Sequence, residues 1–118
     1  MKLNQIERVI LETMSRDEFL RLPGRPLDLD AVAVESRNTS PCGFVADLTD
    51  NEAARAFGEN VSFRWGAEHV GRVKDGELLG MVVYVDDGRV AAIEAYTFGG
   101  RPWPTDLRGF RIERADSA

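Results

Sequence analysis

One stretch constrains the fold more than any other. Residues 77–98 read Glu-Leu-Leu-Gly-Met-Val-Val-Tyr-Val-Asp-Asp-Gly-Arg-Val-Ala-Ala-Ile-Glu-Ala-Tyr-Thr-Phe, two apolar, β-branched and aromatic runs separated by Asp87-Gly88. An Asp-Gly pair in that setting predicts a two-residue hairpin, because a type I′ turn needs positive φ at both central positions. A second pair, Asp75-Gly76, joins this hairpin to a run at about 68–73. The result is a three-stranded antiparallel meander over about 68–73, 77–85 and 89–98. Both faces of its middle strand are apolar: Leu79, Met81, Val83 and Val85 on one, Leu78, Val82 and Tyr84 on the other. Each face therefore needs a cover, from the chain itself or from a partner.

Upstream, Leu3, Ile6, Ile10 and Met14 recur at helical spacing, widened by Val9 and Leu11, while Lys2, Glu7, Arg8 and Glu12 lie largely off the stripe. This predicts an amphipathic helix. Ser15-Arg16-Asp17-Glu18 has the form of a capping box, which predicts a second short helix at about 16–22, ended by Pro23-Gly24. Strands are expected at about 30–37 and 43–48, with Asn38 to Pro41 as the turn between them. A second capping box at Thr49-Asp50-Asn51-Glu52, with Gly58 placed as a C′ residue, suits either a helix of about two turns over 50–57 or an irregular loop. Prolines on both sides of Trp103 stiffen its loop and seat the indole at an edge of the core. Residues 109–114 read as a last short strand.

The 118 residues amount to one domain of α+β class: N-terminal helices over 1–22, then a mainly antiparallel β-sheet over 28–114. Cys42 is the single cysteine, so no disulfide forms within the chain. No signal-peptide core opens the sequence and no apolar run spans a bilayer, so the expected compartment is the cytoplasm. The formal charge is −5, and residues 28–60 alone carry −5. That acidity disfavours nucleic-acid binding and suits either a solvated surface or a basic protein partner.

Candidate chemistry is sparse. Cys42 lies on a turn and His69, the single histidine, in an expected strand. A thiolate dyad needs the two side by side; otherwise they are a turn cysteine and a strand-surface histidine. No metal-ligand spacing and no phosphate-cradling glycine motif occurs, so neither metal nor cofactor is expected. Glu94 is the most informative carboxylate, in phase with Val90, Ala92, Tyr96 and Phe98 within a strand. It either pairs with an arginine, Arg111 or Arg37, or faces a ligand or partner. Asp47, Asp50 and Glu52 form an acidic corner at a strand-to-helix junction, in the same acidic third as Glu59. First-turn capping accounts for Asp50 and Glu52 by itself.

Three segments together carry a resemblance: Gly80 to Val90, Ile93 to Phe98 with its Ile-Glu-Ala-Tyr pattern, and Pro102-Trp103-Pro104, preceded by Gly43-Phe44-Val45-Ala46-Asp47. Over about residues 30–112 the chain resembles small bacterial proteins found in contact-dependent growth inhibition and polymorphic-toxin loci. Ile93 stands where leucine is commoner, and Cys42-Gly43 where small residues are usual. The resemblance implies a non-enzymatic immunity protein that neutralises a cognate toxin domain; the acidic third of the chain then makes Asp47, Asp50, Glu52 and Glu59 the expected partner-binding residues against a basic surface. The alternative is a small-molecule-binding or hydrolytic domain with a pocket near Glu94, Cys42 and His69. A homodimer through the sheet face is a third reading.

Overall fold

A computed structural model describes residues 1–17 and 27–115. Helix α1 spans Gln5–Ser15, followed by strands β1 (Val34–Ser40), β2 (Gly43–Leu48), β3 (Phe63–Trp65), β4 (His69–Arg72), β5 (Leu78–Asp86), β6 (Arg89–Thr97) and β7 (Arg111–Arg114). They build one seven-stranded sheet in the order β1-β2-β6-β5-β4-β7, with β3 paired to the other end of β5. Every pair of neighbouring strands is antiparallel. The α+β class and the central meander are as the sequence predicts. Asp87 (φ 49°) and Gly88 (φ 80°) both take the left-handed conformation that the β5–β6 turn demands.

The apolar stripe of α1 packs Ile6, Ile10, Leu11 and Met14 onto Met81, Val83, Ile93 and Ala95 of the sheet. At roughly 1.5–3 kcal/mol for each fully buried large apolar side chain, this contact holds an 11-residue helix too short to persist alone. Trp103, Leu107 and Phe110 extend the same layer. Trp103 packs edge-on against Phe44 at 5.6 Å, and its backbone N–H donates to Pro41 O. The indole thus sits where its flanking prolines suggest.

Several local expectations are corrected. The first strand starts at Val34 rather than 30, because Ala31 and Val32 donate to Asp28 O and turn the chain first. Asn38 to Ser40 belong to β1, so the turn contracts to Pro41-Cys42. Where a two-turn helix or a loop suits 50–57, a single 3-10 turn forms, Glu52–Ala54, capped by Asn51. It stops there because Phe57 N–H donates to Gly88 O of the hairpin turn instead of continuing a helical ladder. Ser15 closes α1, its hydroxyl donating back to Glu12 O; the second helix expected at about 16–22 lies mostly outside the described residues.

Glu7 departs most from the amphipathic reading. It is 0% exposed. Its carboxylate accepts from the Asn4 N–H at 2.7 Å, completing a capping box, and from Arg37 Nε and Nη2 at 2.8 and 2.7 Å. The charge is buried because a cap and a two-pronged cation satisfy it.

The helix and the Trp103 loop cover one face of the sheet. Among the described residues the other face has no such layer, and it presents Leu78, Val82 and Tyr84 of β5 beside Val45 of β2 and Glu94 and Tyr96 of β6. None of these six side chains belongs to the core cluster. The smallest dimension of the molecule, 22 Å, matches one sheet and one helix layer.

Candidate functional site

The end of the sheet that carries the β5–β6 turn gathers carboxylates. Residues 49–62 leave β2, pass through the 3-10 turn and fold onto that turn. Two backbone bonds, Phe57 N to Gly88 O at 3.0 Å and Gly88 N to Val61 O at 2.7 Å, pin them, and Asn60 N–H donates to the Asp87 side chain at 2.7 Å. Ser62 adds a fourth, accepting from Asp87 N at 3.0 Å. A Cβ on Gly88 would meet Phe57 O and Gly58 O at 2.6 Å, so this close approach needs the glycine as much as the turn does.

This fold-back brings Asp50 and Glu59 to Asp87 around one arginine, with Glu52 on the same loop and Asp86 next to Asp87 in the turn. Arg55 sits among them: it binds Asp50 through Nε and Nη2, both at 2.9 Å, and feels the charges of Asp87 and Glu59. Arg89 approaches Asp50 at 4.0 Å. The Arg55 bonds hold the Asp50 carboxyl below its ordinary range, with a smaller contribution from the Arg89 charge. Glu59, Asp86 and Asp87 are exposed. Asp86 and Asp87 are missed by reasoning from sequence, since only the docking of residues 57–61 onto the hairpin turn brings them to Asp50.

Asp47, the fourth residue expected here, lies apart. It sits within β2 opposite Ala92 and Ser36, on the uncovered sheet face, and accepts from Ser36 Oγ at 3.3 Å.

The other candidates are dispersed. Glu94 also faces the uncovered side, between Val45 and Val82. Its partner is neither Arg111 nor Arg37 but the Tyr84 hydroxyl, which donates to Glu94 Oε1 at 2.9 Å. That bond, with burial second, pushes the Tyr84 hydroxyl above its ordinary value. Arg37 is committed to Glu7. Cys42 lies in the β1–β2 turn. His69 starts β4 with its ring 4.5 Å from Trp65. Strands β6 and β5 separate β2 from β4, and three strand spacings of about 4.8 Å keep the thiol and imidazole far beyond bonding reach. Among the described residues no group of three His, Cys, Asp or Glu side chains is arranged to hold a metal ion. No described helix is long and apolar enough to cross a membrane.

At the opposite end, a cleft of about 660 Å³ opens between the start of α1, the β1–β2 hairpin and the Trp103 loop. Ile6, Phe44, Trp103 and Leu107 form its apolar walls, with Arg37 and Arg108 at polar positions. Glu94, Cys42 and His69 do not line it. His69 borders a separate recess of about 240 Å³ with Arg64 and Glu68.

Comparison with known protein families, with characterised protein sequences and with solved structures finds no match to this chain.

Proposed function

We propose that this chain is an immunity protein that binds and neutralises a cognate toxin domain through the acidic end of its sheet. The observation that carries the reading is the gathering of Asp50, Glu59 and Asp87 around Arg55, on a loop bonded to the hairpin turn, with Glu52 exposed on the same loop and Asp86 beside Asp87 in the turn. Such a surface steers a basic partner toward it and docks without reordering its own loops. A nuclease toxin is the kind of partner it suits, because the arginines and lysines that hold a phosphate backbone would be met by carboxylates instead. In this reading Glu52 and Glu59, at the exposed rim, contact the partner, and Asp50 orders Arg55 between them. The cytoplasm is where such a toxin would be neutralised.

The test is co-expression with the product of the gene immediately upstream. Rescue of growth together with a stoichiometric complex supports the reading. A harmless neighbour, or a toxic one neither bound nor neutralised, overturns it.

The 660 Å³ cleft favours a second reading, a domain that binds a small apolar molecule, since its volume falls within the range of ligand sites. Trp103 lines it, so quenching of tryptophan fluorescence in a ligand screen, abolished by Phe44→Asp, tests that reading.

A further inference from the structure

The uncovered sheet face is built in cross-strand rows. One row runs Arg64 (β3), Tyr84 (β5), Ala92 (β6), Asp47 (β2), Ser36 (β1), each residue directly opposite the next. Its two charges have opposite sign and stand at equal distances from the seam between β5 and β6, one strand beyond it on either side. The guanidinium of Arg64 lies over the Tyr84 ring at 5.2 Å from its centre, which holds the arginine against the face. Around the row the face is apolar, with Val45, Val82 and Tyr96, then Leu78 (38% exposed) and Phe98 (44% exposed) toward the far end. The Tyr96 ring lies over Gly80, in the space a Cβ would take.

We infer that this face binds a second copy of the same chain, through a twofold axis running along the β5–β6 seam. A twofold axis parallel to the strands at that seam sets β3 of one copy over β2 of the other. Because Arg64 and Asp47 share a row, each Arg64 then lies over the Asp47 of the partner copy, and the pair forms twice. A second pair obeys the same symmetry: Asp86 of β5 lies directly opposite Arg89 of β6 across the seam, so the axis sets each over the other residue of the partner copy. Arg72 and Arg111, at the Leu78 end of the face, are matched by Glu113 within the chain. An interface that repeats one patch must be complementary to itself, and this one is. Its extent is also sufficient: five strands about 4.8 Å apart, β5 and β6 nine residues long, give on the order of 700 Å² per copy, near the ~800 Å² that each partner gives to a standard interface.

Sedimentation equilibrium on the purified chain alone tests the inference, and so is independent of any toxin. The wild-type protein at about 100 µM is expected at twice its 13.1 kDa chain mass. Arg64→Asp and Asp47→Arg are each expected to weaken the dimer about 100-fold, since symmetry places like charges together at both contacts. An equimolar mixture of the two variants is expected to recover the dimer mass, because each mutant side chain then meets its opposite. Circular dichroism checks that both keep the sheet. If either loses it, Val82→Lys at the centre of the same face takes its place and is expected to be monomeric. A monomeric wild type overturns the inference and leaves the face to a different partner. So does a dimer indifferent to the substitutions, or folded variants that stay monomeric when mixed.

Discussion

Arg37 closes two fork nitrogens on Glu7, a carboxylate with no solvent-exposed surface, and so ties the first turn of α1 to β1. The same guanidinium donates to Lys2 O at 2.8 Å, fastening the segment before the helix. One pair thus fixes how the helical layer meets the sheet edge and shapes the wall of the cleft beside it. The Glu7 bonds hold Arg37 above its already high ordinary value, so the guanidinium stays charged.

Breaking that pair from one side is therefore costly. Arg37→Ala leaves a buried carboxylate with only its cap N–H, and a loss of about 3–5 kcal/mol is expected in urea unfolding. Replacing both partners, Glu7→Leu with Arg37→Met, removes the buried charge and is expected to cost less than Arg37→Ala alone. Equal stability of Arg37→Ala and wild type contradicts the assignment.

Two strand glycines are expected to differ in kind. At Gly43 an added Cβ meets the Ala95 carbonyl oxygen at 2.1 Å, and backbone within a paired strand cannot retreat. At Gly80 the obstacle is the Tyr96 ring. Gly80→Ala is expected to cost about 1–3 kcal/mol and to be rescued by Tyr96→Ala, whereas Gly43→Ala finds no such rescue. Thermal unfolding of the single and double variants reads the difference.

Tyr84 donates to a carboxylate, so its folded-state pKa is raised and the bond's contribution is present below the ordinary tyrosine pKa and lost as pH rises through the raised value. In a spectrophotometric titration of the two tyrosines, Glu94→Ala is expected to move one transition down toward 10. An unchanged titration rules out the Tyr84–Glu94 bond.

Asp106 behaves in the opposite sense. Two side-chain bonds from Arg108, then a backbone bond from the same residue, lower its carboxyl to about 2 from the usual 3.8. A depressed folded pKa means stability that is present above the unfolded value and lost as pH falls from about 4 toward 2. Carboxyl NMR titration is expected to show that low value, returning most of the way to 3.8 in Arg108→Ala.

Much of this was readable beforehand where local chemistry decides. The Asp87-Gly88 turn, the meander, the stripe of α1 and the Trp103 plug each depend on neighbours in sequence. The buried Glu7 was half readable: Asn4 and Glu7 have capping-box spacing, but the cation that completes the site comes from Arg37, thirty residues on. Between helix and loop at 50–57 the Gly88 carbonyl, from a distant turn, decides by taking the Phe57 N–H, so only one 3-10 turn forms. The acidic end shows the same limit. Asp50, Glu52 and Glu59 stand out by composition, while Asp86 and Asp87 join them only through tertiary bonds. Asp47, adjacent to them in sequence, is carried onto the sheet face by the alternation of β2.

The central claim concerns the acidic end, and calorimetric titration of the purified upstream toxin domain against this protein tests it most directly. The account predicts tight one-to-one binding that Glu52→Lys with Glu59→Lys weakens by about two orders of magnitude or more, since like charges would then face each other in the contact. Undiminished affinity in a folded double variant contradicts it.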